Sequence, residues 1–302
     1  MSGALKEVRD RISSVKNTQQ ITKAMKMVSA SKLRKAQQAI TQMRPYADRL
    51  DHMLKNILSN LDGDGGTVYG VERPVTKALI VVVTSNRGLA GAFNTNINKE
   101  AYKLIEEQFS EVEAAGNLDF LFVGKKGADF FKRRFSNSNF NRDYVEIANS
   151  PDFEEIAEVA NFLMEAFKSG EYDSIQVIYS KFRNAATQTP IAVQYLPVAK
   201  PTELAVAKKE KEETSNSDYI FEPGKVELLE HLVPSILQTS LHKFILDTVA
   251  GEHGARMTAM DKATENAQEM LGELKKTYNK ARQEAITKEL AEIVGGAAAL
   301  EG

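Results

Sequence analysis

Apolar side chains at both ends of the chain recur at steps of three and four residues, the spacing of an amphipathic helix. In residues 1–61 the pattern runs from Leu5 to Leu61 with one step of five residues. Its average repeat lies near 3.5, which favours a left-handed supercoil with a second helix. In residues 225–302 a similar pattern begins after Lys225, and no proline follows Pro234. Both patterns are far longer than the ~25 residues beyond which a coiled coil is favoured.

The C-terminal pattern predicts a helix that needs a long partner. At ~1.5 Å per residue, residues 225–302 would extend for about 100 Å, which is too long to be buried in one ordinary domain. The N-terminal helix supplies a matching apolar stripe. Because the intervening residues begin where that first helix ends, the second helix must run back antiparallel to it.

Residues 74–200 follow a different rhythm. Ala78–Val83 is an uninterrupted, mostly β-branched run, which indicates a strand buried on both faces of a parallel sheet. Further strands are predicted at 119–123, 174–180 and 189–196. Three helices are predicted. The first ends near Phe109, the second is short and follows a turn at Gly124–Gly127, and the third covers 152–167. This alternation predicts an α/β domain with a mostly parallel sheet.

The expected organisation has four parts: an N-terminal coiled-coil helix (1–61), an α/β foot domain (74–200), a connector (201–224) and a C-terminal coiled-coil helix (225–302). The connector contains a polar, low-complexity run at 208–217, which predicts an exposed linker. The fold class is therefore α/β: a long antiparallel, left-handed coiled coil of the terminal helices with an inserted Rossmann-like α/β domain.

Charge is distributed unevenly along the chain. Residues 1–60 carry twelve Lys or Arg against four Asp or Glu, and no acidic residue lies between Asp10 and Asp48, although the net charge is −2. A basic helix without acidic neighbours at i+4 predicts an acidic surface on another chain, or a nucleic acid, as its complement.

Composition excludes several other classes. The chain has no cysteine, hence no disulfide framework and no thiolate chemistry. The charged, helix-periodic N-terminus indicates neither a secretory signal nor a presequence. The longest apolar run, Ala78–Val83, is far shorter than the ~20 residues that cross a bilayer. We therefore expect no direct membrane insertion, and any membrane association through partners.

One loop invites an enzymatic interpretation. Thr84–Gly91 follows a buried strand and contains glycines, as phosphate-binding turns do. It matches neither the dinucleotide fingerprint nor the P-loop, so a purely structural turn is the alternative. The histidines, His52, His231, His242 and His253, lack the spacing of a metal site. No cofactor is expected.

The polar residues left unexplained lie on the terminal helices, at Thr18–Thr22, Arg256, Asn266 and 279–287. From Gly295 the chain also ends in small and apolar residues that have little to pack against. Such a tip suggests insertion into a hydrophobic collar on another protein.

These segments carry a specific resemblance. The chain resembles the gamma subunits of F-type ATP synthases over nearly its whole length. The residues that carry the likeness are Ile12–Lys35, Arg44–Tyr46, Arg87–Gly91, Ala255–Met260, Tyr278–Gln283 and Glu292–Leu300.

The resemblance implies a central-stalk rotor that does no bond chemistry itself. Family members transmit torque between the proton-driven c ring and the catalytic alpha/beta hexamer, with the epsilon subunit beside the foot. It also implies a peripheral membrane protein on the cytoplasmic side of the bacterial inner membrane. Nucleotide binding and catalysis belong to the alpha and beta subunits.

The resemblance also assigns residues. The foot contacts to the c ring and epsilon fall on Tyr219 and Glu222. The coupling contacts to the alpha and beta subunits fall on nine positions: Thr18, Gln19, Thr22, Met25, Arg256, Arg282, Gln283, Thr287 and Glu292.

Two other functions remain as alternatives. A nucleotide-dependent enzyme with a helical arm would place phosphate chemistry near Ser85–Gly91. A basic coiled-coil adaptor would bind nucleic acid with a steep dependence on salt. The acidic excess outside residues 1–60 and the absence of a recognition motif argue against the adaptor.

Overall fold

The computed structural model describes residues 3–59, 68–135, 137–198 and 225–301. The helices are α1 Gly3–Ser59, α2 Phe93–Gln108, α3 Ser110–Ala114, α4 Lys125–Phe131, α5 Phe153–Lys168 and α6 Lys225–Glu301. The strands are β1 Ala78–Val83, β2 Leu118–Val123, β3 Phe140–Asn141, β4 Ser174–Phe182 and β5 Gln188–Leu196. Short 3-10 helices lie at Val68–Gly70 and Val145–Asn149.

The described chain divides into two compact units. Met1–Ala30 and Arg256–Gly302 form one, called here the pair unit; Ser31–Ala255 form the other, called the sheet unit. Both boundaries fall inside a helix, since α1 and α6 each contribute residues to both units.

The sheet unit is built on five strands in the order β3-β2-β1-β4-β5. Neighbouring strands are parallel except β4 and β5, which are antiparallel. All six residues of β1 are buried, as its continuous apolar run predicted for a central strand. The prediction of an α/β domain with a mostly parallel sheet is confirmed.

Aromatic side chains fill one side of this sheet. The Phe120 and Phe122 rings stack in near-parallel planes with centroids 5.9 Å apart, and the ring of Phe131 on α4 lies 5.1 Å from that of Phe120. Helix α5 begins where its acidic first turn predicted, because an Asp152 side-chain oxygen accepts a hydrogen bond from the Glu154 N–H at 3.0 Å.

Three features of the sheet unit were not predicted. Gly124 alone makes the turn after β2, and α4 begins at Lys125, within the segment expected to be a turn. Strand β3 has only two residues, too few for a period to be read from the sequence. Helix α3 has five residues and is separated from α2 by Phe109 alone.

Helix α6 packs against β4 and β5 within the sheet unit. The Tyr179 ring stacks on the Phe244 ring with centroids 4.3 Å apart, and the Tyr195 hydroxyl donates to the Leu237 carbonyl at 2.9 Å. The buried face of α6 in this region includes Leu241 and Ile245. The sheet therefore covers the apolar stripe of α6 over these residues.

A buried carboxyl group lies within this packing. Asp247 on α6 is 6% exposed, and burial raises its pKa to about 6, although the positive charges of Lys243, Lys181 and Arg44 partly oppose the rise. A pKa raised on folding means that the folded chain favours the protonated acid. This group therefore stabilises the fold increasingly as the pH falls from 7 through 6, and its effect levels off below about pH 4.

We predict that Asp247→Asn raises the free energy of unfolding at pH 7 by up to about 3 kcal/mol, because the amide needs no proton to be neutral. At pH 4 the difference from wild type should vanish. Urea unfolding midpoints between pH 4 and 7 measure this, and a variant with the pH dependence of the wild type would contradict the assignment.

Candidate functional site

In the pair unit, α1 and α6 run antiparallel. Arg9 donates to the Tyr278 hydroxyl at 2.9 Å, Gln19 donates to the Gln268 side-chain oxygen at 2.6 Å, and the Thr22 and Thr264 hydroxyls are 2.8 Å apart. The Lys26 ammonium lies 2.5 Å from the Asp261 carboxylate. Residue numbers rise along α1 as they fall along α6 in these four cross-helix pairs, which fixes the direction of pairing.

Eight inward positions of α1 alternate at steps of three and four residues, and Met25 and Ala30 are half-buried beside them. Buried or half-buried side chains lie at Leu5, Val8, Ile12, Val15, Gln19, Thr22, Lys26 and Ser29. The facing residues of α6 include the buried Met260, Ala267 and Leu271. The first four inward positions are thus apolar and the next four are polar.

This polar stretch corrects one prediction from the sequence. The three-and-four pattern from Leu5 to Leu61 passes through Thr18, Ile21 and Val28 and therefore predicted that they face the partner helix. Instead, Ile21 and Val28 are 59% and 57% exposed, and Thr18 is also exposed. Ser29, by contrast, is 2% exposed. The error arose from following hydrophobicity alone. The five-residue step from Val28 to Leu33 was the signal that the apolar pattern had left the inward face.

One exposed apolar residue of α1 borders a groove. Met27, which is 61% exposed, lies with Gln20 and Lys23 along an open groove of about 710 Å³. Asp261 and Thr264 line its other side. The surface here combines an exposed thioether, amides and lysines, and it is accessible from outside the helix pair.

The predicted coupling residues of α1 have different environments. The Thr18 hydroxyl donates to the Ser14 carbonyl at 3.0 Å and remains exposed. Gln19 and Thr22 are engaged with α6 through the contacts given above. Met25 is half-buried, and Arg256, at the α6 end of the pair unit, is buried.

The predicted coupling residues near the C-terminus are all exposed: Arg282, Gln283, Thr287 and Glu292. Thr287 donates to the Gln283 carbonyl at 2.9 Å, one turn earlier. Glu292 lies 3.9 Å from Lys288. Their contacts stay within α6, so their outer surfaces are open to another chain.

A second exposed feature accompanies them, and sequence reasoning did not single it out. Ile286, Leu290, Ile293 and Val294 are between 49% and 68% exposed. Their spacing places them along one side of α6. Gly295 and Gly296 continue as exposed positions, whereas the side chains after residue 296 lie outside the described part.

The predicted foot contacts, Tyr219 and Glu222, lie outside the described residues, as does the connector run at 208–217. Their assignment therefore stays a prediction.

Several polar groups of the loop at Thr84–Gly91 bond to neighbouring residues, whereas the buried Asn86 Nδ2 has no hydrogen-bond partner. Thr84 Oγ1 accepts a hydrogen bond from the Gly127 N–H at 2.9 Å. Asn94 accepts from the Ser85 N–H at 3.0 Å, and Asn86 accepts from the Lys125 N–H at 2.8 Å. Leu89 and Gly91 adopt left-handed backbone conformations, with φ of 64° and 58°. These contacts favour the structural interpretation of the turn.

Other chemistry finds little support. Among the described residues, no group of three or more His, Asp or Glu is arranged to hold a metal ion. His242 packs edge-on against Phe153 with ring centroids 5.4 Å apart, and burial lowers its pKa. The helices of the described ranges also include none long and apolar enough to cross a membrane.

Comparisons with known proteins agree on one family. A family model described as ATP synthase matches residues 4–300. The ATP synthase gamma chain of Cytophaga hutchinsonii is 50% identical over 297 residues, covering 98% of this chain and 99% of the relative. That of Flavobacterium psychrophilum is 49% identical, covering 99% of each.

Solved structures share the fold. A chain in the Euglena gracilis mitochondrial ATP synthase (OSCP/F1/c-ring) superposes with a TM-score of 0.67 at 24% identity, covering 99% of this chain and 95% of that one. A chain in the Tetrahymena thermophila central stalk and c ring gives 0.54 at 24% identity, covering 80% and 99%. On the strength of the family model and the close relatives, the chain belongs to the ATP synthase gamma-chain family.

Proposed function

We propose that this chain is the central-stalk rotor subunit of an F-type ATP synthase. It transmits torque between the proton-driven c ring and the catalytic alpha/beta hexamer during ATP synthesis or hydrolysis. The observation that carries the proposal is the antiparallel helix pair with exposed polar residues on its outer surface, in a chain that is 50% identical to an ATP synthase gamma chain. The chain itself is non-catalytic and binds no cofactor.

The helix pair is a left-handed coiled coil in this proposal. The alternation of three and four along the inward positions of α1 averages about 3.5 residues, the repeat that produces a left-handed supercoil. The inserted domain is Rossmann-like, which the parallel strand order β3-β2-β1-β4 supports.

The outer surface of the pair suits a rotating contact. The basic run of α1 between Asp10 and Asp48 complements an acidic surface on the alpha and beta subunits. Exposed charges each contribute about 1 kcal/mol or less, so many of them hold a partner without fixing one angle. We place coupling contacts at the exposed Thr18, Arg282, Gln283, Thr287 and Glu292 and at the half-buried Met25. Gln19 and Thr22 also join α1 to α6, and Arg256 is the buried member of the set.

The exposed apolar side of α6 fits a hydrophobic collar. An exposed apolar stripe, which water solvates poorly, is formed by Ile286, Leu290, Ile293 and Val294. The polar coupling residues Thr287 and Glu292 lie on the same part of α6. A collar of apolar residues in the alpha/beta hexamer would cover the stripe and still let the tip turn.

The sheet unit is the foot in this proposal. Tyr219 and Glu222 contact the c ring and the epsilon subunit, which makes the chain a peripheral membrane protein on the cytoplasmic side of a bacterial inner membrane. The loop at Thr84–Gly91 has a structural role, because Thr84, Ser85 and Asn86 bond to neighbouring residues of the same unit.

We predict that Arg282→Ala with Gln283→Ala lowers coupled ATP synthesis about tenfold, the effect of losing charge-assisted contacts worth about 1.5 kcal/mol. Both side chains are exposed, so the helicity of the isolated chain should not change. The control is Lys280→Ala with Glu284→Ala, which removes an exposed pair within the same helix. Equal losses in synthesis and helicity would contradict the assignment.

We predict that Asp261→Lys lowers the free energy of unfolding by about 1 kcal/mol, since it sets two ammonium groups against each other at a half-exposed site. Adding Lys26→Asp should restore most of the loss. Glu265→Lys makes the same charge change on an exposed residue and should have a smaller effect. Thermal unfolding followed by circular dichroism provides the measurement, and a double variant no better than Asp261→Lys would argue against the pairing.

We predict that the chain assembles with alpha and beta subunits of a close relative at one copy per hexamer. Native mass spectrometry of the reconstituted complex tests this stoichiometry. Equilibrium dialysis of the isolated chain with ATP tests the alternative of a nucleotide-dependent enzyme. Binding of ATP with micromolar affinity would support that alternative. Tight, salt-dependent binding to DNA would favour the nucleic-acid adaptor.

A further inference from the structure

Two glycines of α6 lie where the helix meets the sheet. Gly251 and Gly254 are one turn apart and both are buried. Neither has a left-handed backbone, and glycine weakens a helix relative to alanine. Their presence within α6 therefore needs another explanation, which the contacts around them supply.

A side chain at either position would crowd its neighbours on α2 and on the β4–β5 connection. A Cβ on Gly251 would lie 3.1 Å from Cε2 of Phe93 and 3.3 Å from Cγ of Gln188. A Cβ on Gly254 would lie 3.0 Å from the Ala185 carbonyl oxygen and 3.1 Å from its Cα. The α6 backbone thus rests directly on the connection between β4 and β5. At Gly254 the neighbouring atoms belong to the backbone, which cannot turn aside as a side chain can.

One hydrogen bond joins α6 to the sheet beside this contact, and another braces the β4–β5 connection. The Ser180 N–H of β4 donates to the Thr248 hydroxyl of α6 at 3.2 Å. Gln188 donates to the Ala185 carbonyl at 2.8 Å, which holds the connection in place beneath Gly254. Together with the stacked rings of Tyr179 and Phe244, these contacts resist both sliding and rotation of α6 on the sheet.

The α6 backbone lies closer to the β4–β5 connection than the burial of its apolar face requires. The apolar face of α6, including Leu241, Ile245 and Val249, already buries the adjoining surface. Larger residues at 251 and 254 could have extended that face with the helix slightly farther away. Backbone contact instead fits the part of a rotor that must pass rotation from one element to another without slipping.

We propose that Gly251 and Gly254 are positioning residues for torque transmission, forming with Ser180, Ala185 and Gln188 a glycine seat. When the sheet rotates, the contacts of the glycine seat transmit torque to α6. The same continuous helix, which extends to Glu301, then carries the torque. The proposal rests on the rotor function given above.

The test uses the assembled synthase in inverted membrane vesicles. ATP hydrolysis and ATP-driven proton pumping are measured on the same vesicles, for Gly251→Ala, Gly254→Ala and a control. The control is Gly272→Ala in the same helix, where an added Cβ meets no atom within 4 Å. All three changes add one methyl group to α6.

We expect the number of protons pumped per ATP hydrolysed to fall about threefold in Gly254→Ala. Overpacking by one methyl group can shift the population of correctly seated helices by at least this factor. The fall should be smaller in Gly251→Ala, where side-chain atoms can move. Gly272→Ala should keep the wild-type ratio. Adding Phe93→Leu to Gly251→Ala removes the ring atom nearest to the new methyl group and should restore the ratio.

Two outcomes would overturn the seat. One is a fall of pumping and hydrolysis in equal proportion, which indicates only a loss of assembled enzyme. The other is a ratio in Gly251→Ala that equals that of Gly272→Ala. If a synthase that carries Gly254→Ala does not assemble, Gly251→Ala still tests the proposal, alone and combined with Phe93→Leu. Failure of the rotor function itself is distinguishable, because the wild-type chain would then not join the hexamer.

Discussion

A single long helix cannot bury its own apolar side, and this constraint governs the terminal segments of the chain. Helix α6 has 77 residues, and its surroundings change along its length. Residues near 237–254 are covered by the sheet, and those near 260–278 are paired with α1. From Ile286 to Gly296 the helix is exposed. One helix therefore serves in turn as an anchored, a paired and a free segment, and each requires its own residues.

The paired segment combines two kinds of interior. Apolar positions near Leu5 supply burial, whereas Gln19, Thr22, Lys26 and Ser29 supply hydrogen bonds and an ion pair. Polar inward residues stabilise a helix pair less than leucine would, but they match only one alignment of the two helices. Moved by one heptad, Thr22 would face Leu271. The polar stretch thus trades stability for a defined register.

Much of the sheet unit could be predicted because its signals are local. Ala78–Val83 is so strongly apolar that only a central strand fits, and α6 begins at Lys225 as expected. The inward face of α1 near residue 20 could not be found from hydrophobicity, since hydrogen bonds to α6 outweigh burial of Ile21 there. The contact of Gly254 with Ala185 joins residues distant in sequence, so no local pattern reveals it.

The exposed apolar residues also affect the protein before assembly. Ile21, Met27 and Val28 are exposed on α1, and Ile286, Leu290, Ile293 and Val294 are exposed along one side of α6. Exposed apolar surface of this kind favours self-association when nothing covers it. The isolated chain is therefore less soluble than the assembled one, because its partners cover these apolar residues. A cell that makes more of this chain than of its partners would accumulate aggregated chain.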